Sequence, residues 1–158
     1  MSTVESRLAH SSDLGPAILR VALGAVFIAH ALAKAFLFTF PGTIAFFQAH
    51  GFPGWTVYPV FALELFGGLA LLTGLRSRTV SLVLIPVMFG ALLPHASQGW
   101  MFSNPGGGWE YVAFLIAALG AQAALGSGAY SLDRALSEAG AAAPNVHPLE
   151  SVELGPRA

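Results

Sequence analysis

Ionisable side chains occur inside two long apolar segments of the chain. His30 and Lys34 lie one helical turn apart in the segment 15–38, and Glu64 lies in the segment 57–75. A charged side chain at the centre of a bilayer costs about 2.5 to 3.5 kcal/mol on insertion scales, so each requires a partner or a function. Counted at about 1.5 Å per residue from the nearer segment ends, His30 and Lys34 lie roughly 6 to 12 Å deep and Glu64 about 10 Å deep. The matching depths predict a contact between Lys34 and Glu64.

Three further residues belong to the same predicted cluster. His95 ends the third apolar segment, and Trp109 and Glu110 begin the fourth. In an antiparallel bundle these two segment ends meet the same surface, which is also the end that Lys34 approaches. The sequence therefore predicts one polar pocket in the outward half of the bundle.

Side chains of these types could bind a quinone-like ring. Histidine and lysine N–H groups can donate hydrogen bonds to a carbonyl oxygen, carboxylates can exchange the proton that quinone reduction consumes, and a tryptophan offers a flat apolar wall. The expected catalytic residues are His30, Lys34, Glu64 and Glu110, the expected substrate-binding residues are His95 and Trp109, and no metal is predicted.

Other interpretations of this cluster stay open. The same side chains could form a salt-bridge and hydrogen-bond network that fixes the helix register without chemistry. A metal could use His30, His95 and two carboxylates, or a haem could be held between the two histidines, although the spacing matches no zinc or EF-hand signature. The other histidines, His10, His50 and His147, lie outside the apolar segments and are expected to be solvated.

Membrane-spanning helices must position these residues. Hydrophobic types make up 55% of the 158 residues and charged types only 9%, against roughly 25% charged in an average soluble domain. Four apolar blocks, each near the roughly 17 to 25 residues that a spanning helix needs, predict an all-α, antiparallel four-helix membrane bundle. The blocks are 15–38, 57–75, 79–95 and 109–126.

The polar and turn-forming stretches set the remaining organisation. Residues 1–14 are expected to form a cytoplasmic N-terminal segment, 15–135 one membrane domain, and 136–158 a disordered C-terminal tail. The connection 40–56 is rich in aromatic residues, glycine and proline, and is expected to lie at the membrane interface and to hold one short helix. The stretch 131–139 is short and amphipathic.

The arginines predict the orientation, because basic residues near helix ends are retained on the cytoplasmic side. Arg7, Arg20, Arg76, Arg78 and Arg134 would all lie at one end of a four-helix bundle. A multi-pass protein of the cell inner membrane with both termini cytoplasmic is therefore expected. Arg20 falls a few residues inside the first helix, and we expect it to extend to the surface as an interface anchor.

The alanines of the first helix allow two interpretations. Ala31-Leu32-Ala33 resembles a signal peptidase site, which would make the first helix a cleaved leader. Ala25, Ala29 and Ala33 also repeat at four-residue spacing, which would let a neighbouring helix approach closely. The second interpretation accounts for the same alanines and predicts a packing face.

Composition excludes several classes of function. The formal net charge of −1 provides no basic surface for nucleic acid, and no nucleic-acid motif is present. The chain has no cysteine, so disulfides, thiolate metal sites and dithiol chemistry cannot come from this chain alone. No nucleotide or flavin motif is present either, so electrons would have to come from a partner protein.

An ordered set of short motifs resembles the DoxX family of small four-helix membrane proteins. The matching pieces are Leu19-Arg20 through Gly24 to His30 and Lys34, His50-Gly51-Phe52-Pro53, Leu63-Glu64-Leu65-Phe66-Gly67-Gly68, Gly108-Trp109-Glu110-Tyr111, and Gly126 with Ser131-Leu132-Asp133-Arg134. The resemblance covers about residues 15 to 135, with Ala31 standing where such sequences often have glycine. It implies functional roles for His30, Lys34, Glu64, Trp109 and Glu110.

The resemblance also implies a modest set of activities. Family members are described as membrane oxidoreductase components, some linked to thiosulfate oxidation with a quinone acceptor and some to partner proteins in oxidative-stress defence. The leading hypothesis is therefore a quinone-linked oxidoreductase component acting with a redox partner protein. The alternatives are a non-catalytic anchor or scaffold for soluble enzymes and a small-solute or proton carrier, which the lack of an internal repeat disfavours. Homo-oligomerisation and catalysis by the isolated chain stay open.

Overall fold

Six α-helices account for most of residues 3–141, the part of the chain that this computed structural model describes. They are α1 (Thr3–Leu32), α2 (Phe40–Ala49), α3 (Val57–Thr73), α4 (Ser77–His95), α5 (Glu110–Leu125) and α6 (Leu132–Ala141). A π-helical turn, Ala33–Leu37, continues α1, and 3-10 turns at Gly54–Thr56 and Ala96–Gln98 precede α3 and follow α4. Within residues 3–141 there is no β-strand. The predicted short helix in the first connection is confirmed as α2.

Helix length and composition make this an all-α, multi-pass membrane protein. Three described segments are long and apolar enough to cross a membrane: Asp13–Leu37, Gly54–Thr73 and Ser77–Gln98. The fourth apolar helix, Glu110–Leu125, has 16 residues and spans about 24 Å, less than a hydrocarbon core of roughly 30 Å. It nevertheless packs along α4 and completes the four-helix bundle.

The bundle is built from two closely packed pairs, α1 with α3 and α4 with α5. Between them lies a core of fully buried apolar side chains. Its members are Leu23, Phe27, Leu71, Leu84, Met88, Val112, Leu115, Ala118 and Leu119. Contacts between the two pairs, α3 with α4 and α1 with α5, are less extensive.

Two glycines allow the close approach of α1 and α3. A Cβ atom on Gly24 would lie 2.7 Å from the carbonyl oxygen of Gly68, and one on Gly68 would lie 2.9 Å from the carbonyl oxygen of Gly24. The predicted alanine packing face is wrong, because Ala25 and Ala29 are exposed. The backbones meet one residue away from it, where the absence of a side chain permits closer contact.

Replacing Gly24 with alanine should destabilise the bundle by about 1 to 3 kcal/mol, the usual cost of an extra methyl group in a filled site. The added Cβ would also lie 2.8 Å from the backbone nitrogen of Leu72, and backbone cannot rotate away. Thermal unfolding in detergent measures the effect. Gly120→Ala is the matched control, because no atom lies within 4 Å of that Cβ position. Equal melting temperatures for the two variants would contradict the close approach.

A buried arginine forms hydrogen bonds to several segments that meet at one end of the bundle. This end holds the α3–α4 turn (residues 74–76), and we call it the hairpin end. The Arg20 guanidinium is 2% exposed and donates to five backbone carbonyl oxygens. The acceptors are Ser127 at 2.8 Å, Leu71 at 3.2 Å, Leu72 at 2.7 Å, Ala129 at 3.0 Å and Tyr130 at 2.7 Å. The expectation of a surface anchor is wrong: the last carbonyls of α3 need donors that the helix cannot supply, and Arg20 supplies them.

The last described helix, α6, is held at the same end. The Asp133 carboxylate accepts hydrogen bonds from the Arg76 backbone N–H at 2.9 Å and from the Ser127 hydroxyl at 2.6 Å. Partial burial alone would raise the pKa of Asp133, but these hydrogen bonds and the nearby Arg76 charge outweigh burial and lower it. The Asp133 backbone N–H also donates to Gly74 O. The start of the membrane domain, the α3–α4 turn and α6 therefore share one end of the bundle.

Two expected boundaries differ from the structure. Helix α1 begins at Thr3, so the backbone of most of the predicted N-terminal segment is a helical extension of the first span. Helix α6 runs to Ala141, so residues 136–141 are helical where disorder was expected. The rest of the predicted tail, 142–158, lies outside the described residues.

Candidate functional site

A cavity of about 880 Å³ opens between the two helix pairs at the end opposite the hairpin. Helix α2 forms one wall, and α4 contributes Pro86, Gly90 and Pro94 to another. Each proline removes a backbone N–H and disturbs the regular helix, and Gly90 places no side chain in the space between them. The volume falls within the roughly 300 to 1,000 Å³ range of small-molecule sites.

A buried ion pair lies in the cavity wall. Lys34 Nζ is 2.8 Å from Glu64 Oε1 and 2.6 Å from Glu64 Oε2, and the two side chains are 15% and 3% exposed. The π-helical turn Ala33–Leu37 carries Lys34, and the Thr43 hydroxyl of α2 is 3.3 Å from the Lys34 carbonyl oxygen. The contact predicted from matching depths is confirmed.

Two of the predicted histidines also line this cavity. The His30 ring stacks on the Tyr111 ring at a centroid distance of 6.1 Å and an interplanar angle of 19°. His95 is the last residue of α4, and its Nδ1 lies 2.9 Å from the Gly107 carbonyl oxygen. Both histidines line the same cavity as Lys34 and Glu64, so the sequence grouped these four side chains correctly, and their chemical roles stay predictions.

The other two expected site residues do not line this cavity. Glu110 Oε1 accepts a hydrogen bond from the Phe102 backbone N–H at 2.9 Å. The Trp109 ring packs edge-on against the Trp100 ring at a centroid distance of 4.4 Å. Both side chains therefore fix the connection between α4 and α5, because a loop that folds back on a helix start needs acceptors and apolar cover for its own backbone.

The structure adds site residues that the sequence did not select. Tyr111 lines the cavity from α5, directly after the two residues that do not, and Phe46 and His50 line it from the α2 region. His50 was expected to be solvated and apart from the cluster; it is exposed, but the expectation that it lies apart is wrong, because it lines the cavity. Its ring packs on Phe46 with centroids 4.3 Å apart, and its Nδ1 lies 2.8 Å from the Phe46 carbonyl oxygen.

Of these three added residues, only His50 could have been selected from the sequence. A His-Gly-Phe-Pro motif follows α2, but nothing in the sequence indicates that α2 folds back over the bundle. For the metal interpretation, no three His, Asp or Glu side chains among residues 13–141, the range in which side chains are described, are grouped closely enough to hold an ion. The site within the described residues thus consists of an ion pair, several hydrogen-bonding rings and two threonine hydroxyls in a mostly apolar cavity.

Comparison with known proteins gives a family for this arrangement. Residues 15–97 match the family model of DoxX. They contain α1 from Gly15 onward and all of α2 to α4, and hence Lys34, Glu64, His30 and His95. The chain belongs to the DoxX family. The Tyr111 side of the cavity, on α5, lies beyond the segment that the DoxX model matches.

Two relatives extend the DoxX assignment. The chain is 30% identical over 135 residues to "Inner membrane protein YqjF" of Escherichia coli (strain K12), covering 80% of this chain and 95% of the relative. It is 35% identical over 83 residues to "Putative oxidoreductase CatD" of Bacillus subtilis (strain 168), covering 52% of this chain and 60% of that protein. No solved structure matches the chain significantly.

Proposed function

We propose that this DoxX-family protein is a membrane-embedded oxidoreductase component that binds a quinone ring in the cavity between its helix pairs. The observation that carries the proposal is the Lys34–Glu64 ion pair. The pair is largely buried, and both side chains line a mostly apolar cavity that is large enough for a small-molecule ligand. The name of the Bacillus relative supports an oxidoreductase role, and the match covers 60% of that protein.

The cavity offers the contacts that a quinone needs. An ammonium group has three N–H donors, and two of those of Lys34 are directed at the Glu64 carboxylate, so the third can donate to a quinone carbonyl oxygen. Glu64 and the histidines can exchange protons with a bound ring. The walls include Phe27, Phe47 and Met88, which suit a flat apolar ring.

Electrons would come from a separate protein. The chain has no cysteine and no dinucleotide motif, and a bound quinone accepts electrons rather than originating them. A redox partner protein is therefore part of the proposal, and the isolated chain is expected to bind the quinone without turnover.

We further propose that the hairpin end faces the cytoplasm and that the cavity lies in the outward half of the membrane. Arg76, Arg78 and Arg134 lie at the hairpin end, and basic residues are retained on the cytoplasmic side. Reporter proteins fused to either terminus should then be active only as cytoplasmic reporters. Activity of a periplasmic reporter at both termini would reverse the orientation.

Filling the cavity should abolish quinone binding without unfolding the protein. Gly90 lines the cavity, and no atom lies within 4 Å of its Cβ position, so Gly90→Phe can place a ring where the ligand would be held. We expect at least about a ten-fold weaker affinity for a short-chain ubiquinone in nanodiscs, corresponding to about 1.4 kcal/mol. Binding is measured by equilibrium dialysis.

Gly120→Phe provides the matched control. It introduces the same glycine-to-phenylalanine change on α5 at an exposed position outside the cavity, again with no atom within 4 Å of the Cβ position. Its quinone affinity should equal that of the parent. Weak and equal binding by all three proteins would remove the quinone proposal and favour the scaffold hypothesis.

A further inference from the structure

Two histidine rings in the cavity wall have fixed tautomers. His95 Nδ1 lies 3.1 Å and 2.9 Å from the carbonyl oxygens of Gly106 and Gly107, and His50 Nδ1 lies 2.8 Å from that of Phe46. A carbonyl oxygen can only accept, so Nδ1 carries the hydrogen in both rings. In the neutral imidazole Nε2 is then a hydrogen-bond acceptor. Both residues line the cavity, and Nε2 is the nitrogen of each ring that is left to accept a hydrogen bond from a ligand.

Two threonine hydroxyls in the cavity wall also use their hydrogen in a bond to a backbone carbonyl oxygen. The Thr43 hydroxyl donates to Thr39 O at 2.9 Å, and the Thr56 hydroxyl donates to Pro53 O at 2.6 Å. A hydroxyl has one hydrogen and two lone pairs. Once its hydrogen is bonded to backbone, each threonine can only accept from a ligand.

The ion pair does not reverse this excess of acceptors. The Glu64 carboxylate is an acceptor with lone pairs beyond those that face Lys34, and Lys34 retains one N–H beyond the two directed at Glu64. Tyr111 can donate or accept through its hydroxyl, and His30 through either tautomer, so neither favours one kind of ligand. The cavity thus presents several acceptors against one committed donor.

We propose that the cavity selects a quinol, the reduced form of a quinone-type ring, over the oxidised quinone. The two hydroxyl hydrogens of a quinol can be donated to the acceptor atoms of His50 and His95 or of the threonines. The two carbonyl oxygens of a quinone would instead face those acceptors. Lys34 has one hydrogen committed to donating to them, whereas Tyr111 and His30 can serve either form of the ring. This inference rests on the proposed function, because it specifies which form of the ring the same cavity prefers.

The test compares three probes built on the same ring: trimethylhydroquinone, trimethylbenzoquinone and the di-O-methyl ether of the hydroquinone, which is larger by two methyl groups. The full-length protein in nanodiscs is titrated without oxygen at about pH 8, where imidazole is ordinarily neutral. We expect the hydroquinone to bind about ten-fold more tightly than either of the other two, the effect of two net hydrogen bonds.

Two histidine variants test whether the His50 and His95 rings cause the preference for the hydroquinone. His50→Phe keeps an aromatic ring on Phe46 at an exposed position and should fold normally, and the double variant His50→Phe/His95→Phe removes both acceptors. The preference should fall to about three-fold in the first and fall further in the second, where only the threonine and Glu64 oxygens remain as acceptors. Phe66→Ala, on the exposed face of α3, should keep the preference.

The failures of the two proposals are distinguishable. Equal binding of hydroquinone and quinone, tighter binding of the quinone, or an unchanged preference in the His50→Phe variant would overturn the selectivity and leave the quinone-type site intact. Binding of none of the three probes would overturn the site itself.

Discussion

Replacing Glu64 with leucine should destabilise the bundle by about 3 to 5 kcal/mol, the usual cost of removing one partner of a buried ion pair. The carboxylate is 3% exposed and both of its oxygens contact Lys34 Nζ. Without it, the ammonium would remain in a wall of low polarity with no counter-charge. Thermal unfolding in detergent and the amount of protein in the membrane both measure the loss.

The double variant Lys34→Met/Glu64→Leu is the decisive control. It removes both charges and keeps similar side-chain volumes, and a buried ion pair replaced by apolar residues is often no less stable. The double variant should therefore melt closer to the parent than Glu64→Leu does. If the double variant melts no closer to the parent than Glu64→Leu does, the side chains are not coupled and the ion pair does not stabilise the fold.

Replacing Arg20 with methionine should prevent the protein from accumulating in a folded form. Five carbonyl oxygens accept hydrogen bonds from this one guanidinium, and hydrogen bonds to charged groups contribute about 1.5 to 3 kcal/mol each. Even a partial loss exceeds about 5 kcal/mol, which is comparable to the whole stability of many domains. The loss is measured as the folded fraction recovered by size-exclusion chromatography.

Two variants test whether Arg20 stabilises the fold through its five hydrogen bonds or through its positive charge alone. Arg20→Lys keeps the charge but has three donors on one atom, so it cannot reach carbonyls of α3 and of residues 127–130 together, and it should recover only part of the stability. Arg134→Met removes an arginine that is 59% exposed and pairs with Asp13 and Glu138, and it should change stability by less than about 1 kcal/mol. Similar losses for Arg20→Met and Arg134→Met would mean that the five carbonyls find other donors.

Positions along the helix axes were determined by the sequence. An apolar segment of known length fixes the depth of every residue in it, because each residue advances a helix by about 1.5 Å. This simple count placed Lys34 opposite Glu64, and the structure has them in contact. The all-α membrane fold followed from the lengths of the same segments, since apolar segments of that length span a bilayer as helices, which hydrogen-bond their own backbone polar groups.

Rotation about those axes was decided only by the tertiary structure. In a membrane helix both the lipid-facing and the core-facing sides are apolar, so the sequence carries little signal for which side packs inward. The sequence therefore indicated Ala25 as a packing residue, whereas Gly24 makes the contact. It likewise indicated a surface position for Arg20, which is buried. Each error corresponds to a difference in direction around the helix, with the depth correct.

The connections were the second feature that only the tertiary structure could supply. Trp109 and Glu110 lie at the correct end of the bundle but bind their own loop, while His50 reaches the cavity because α2 folds back over it. A loop's path depends on which backbone groups of distant segments it can satisfy, and no local pattern encodes that pairing. The sequence thus determined the membrane fold and the depth of the ion pair, and the packing of helices and loops decided which other side chains share the cavity.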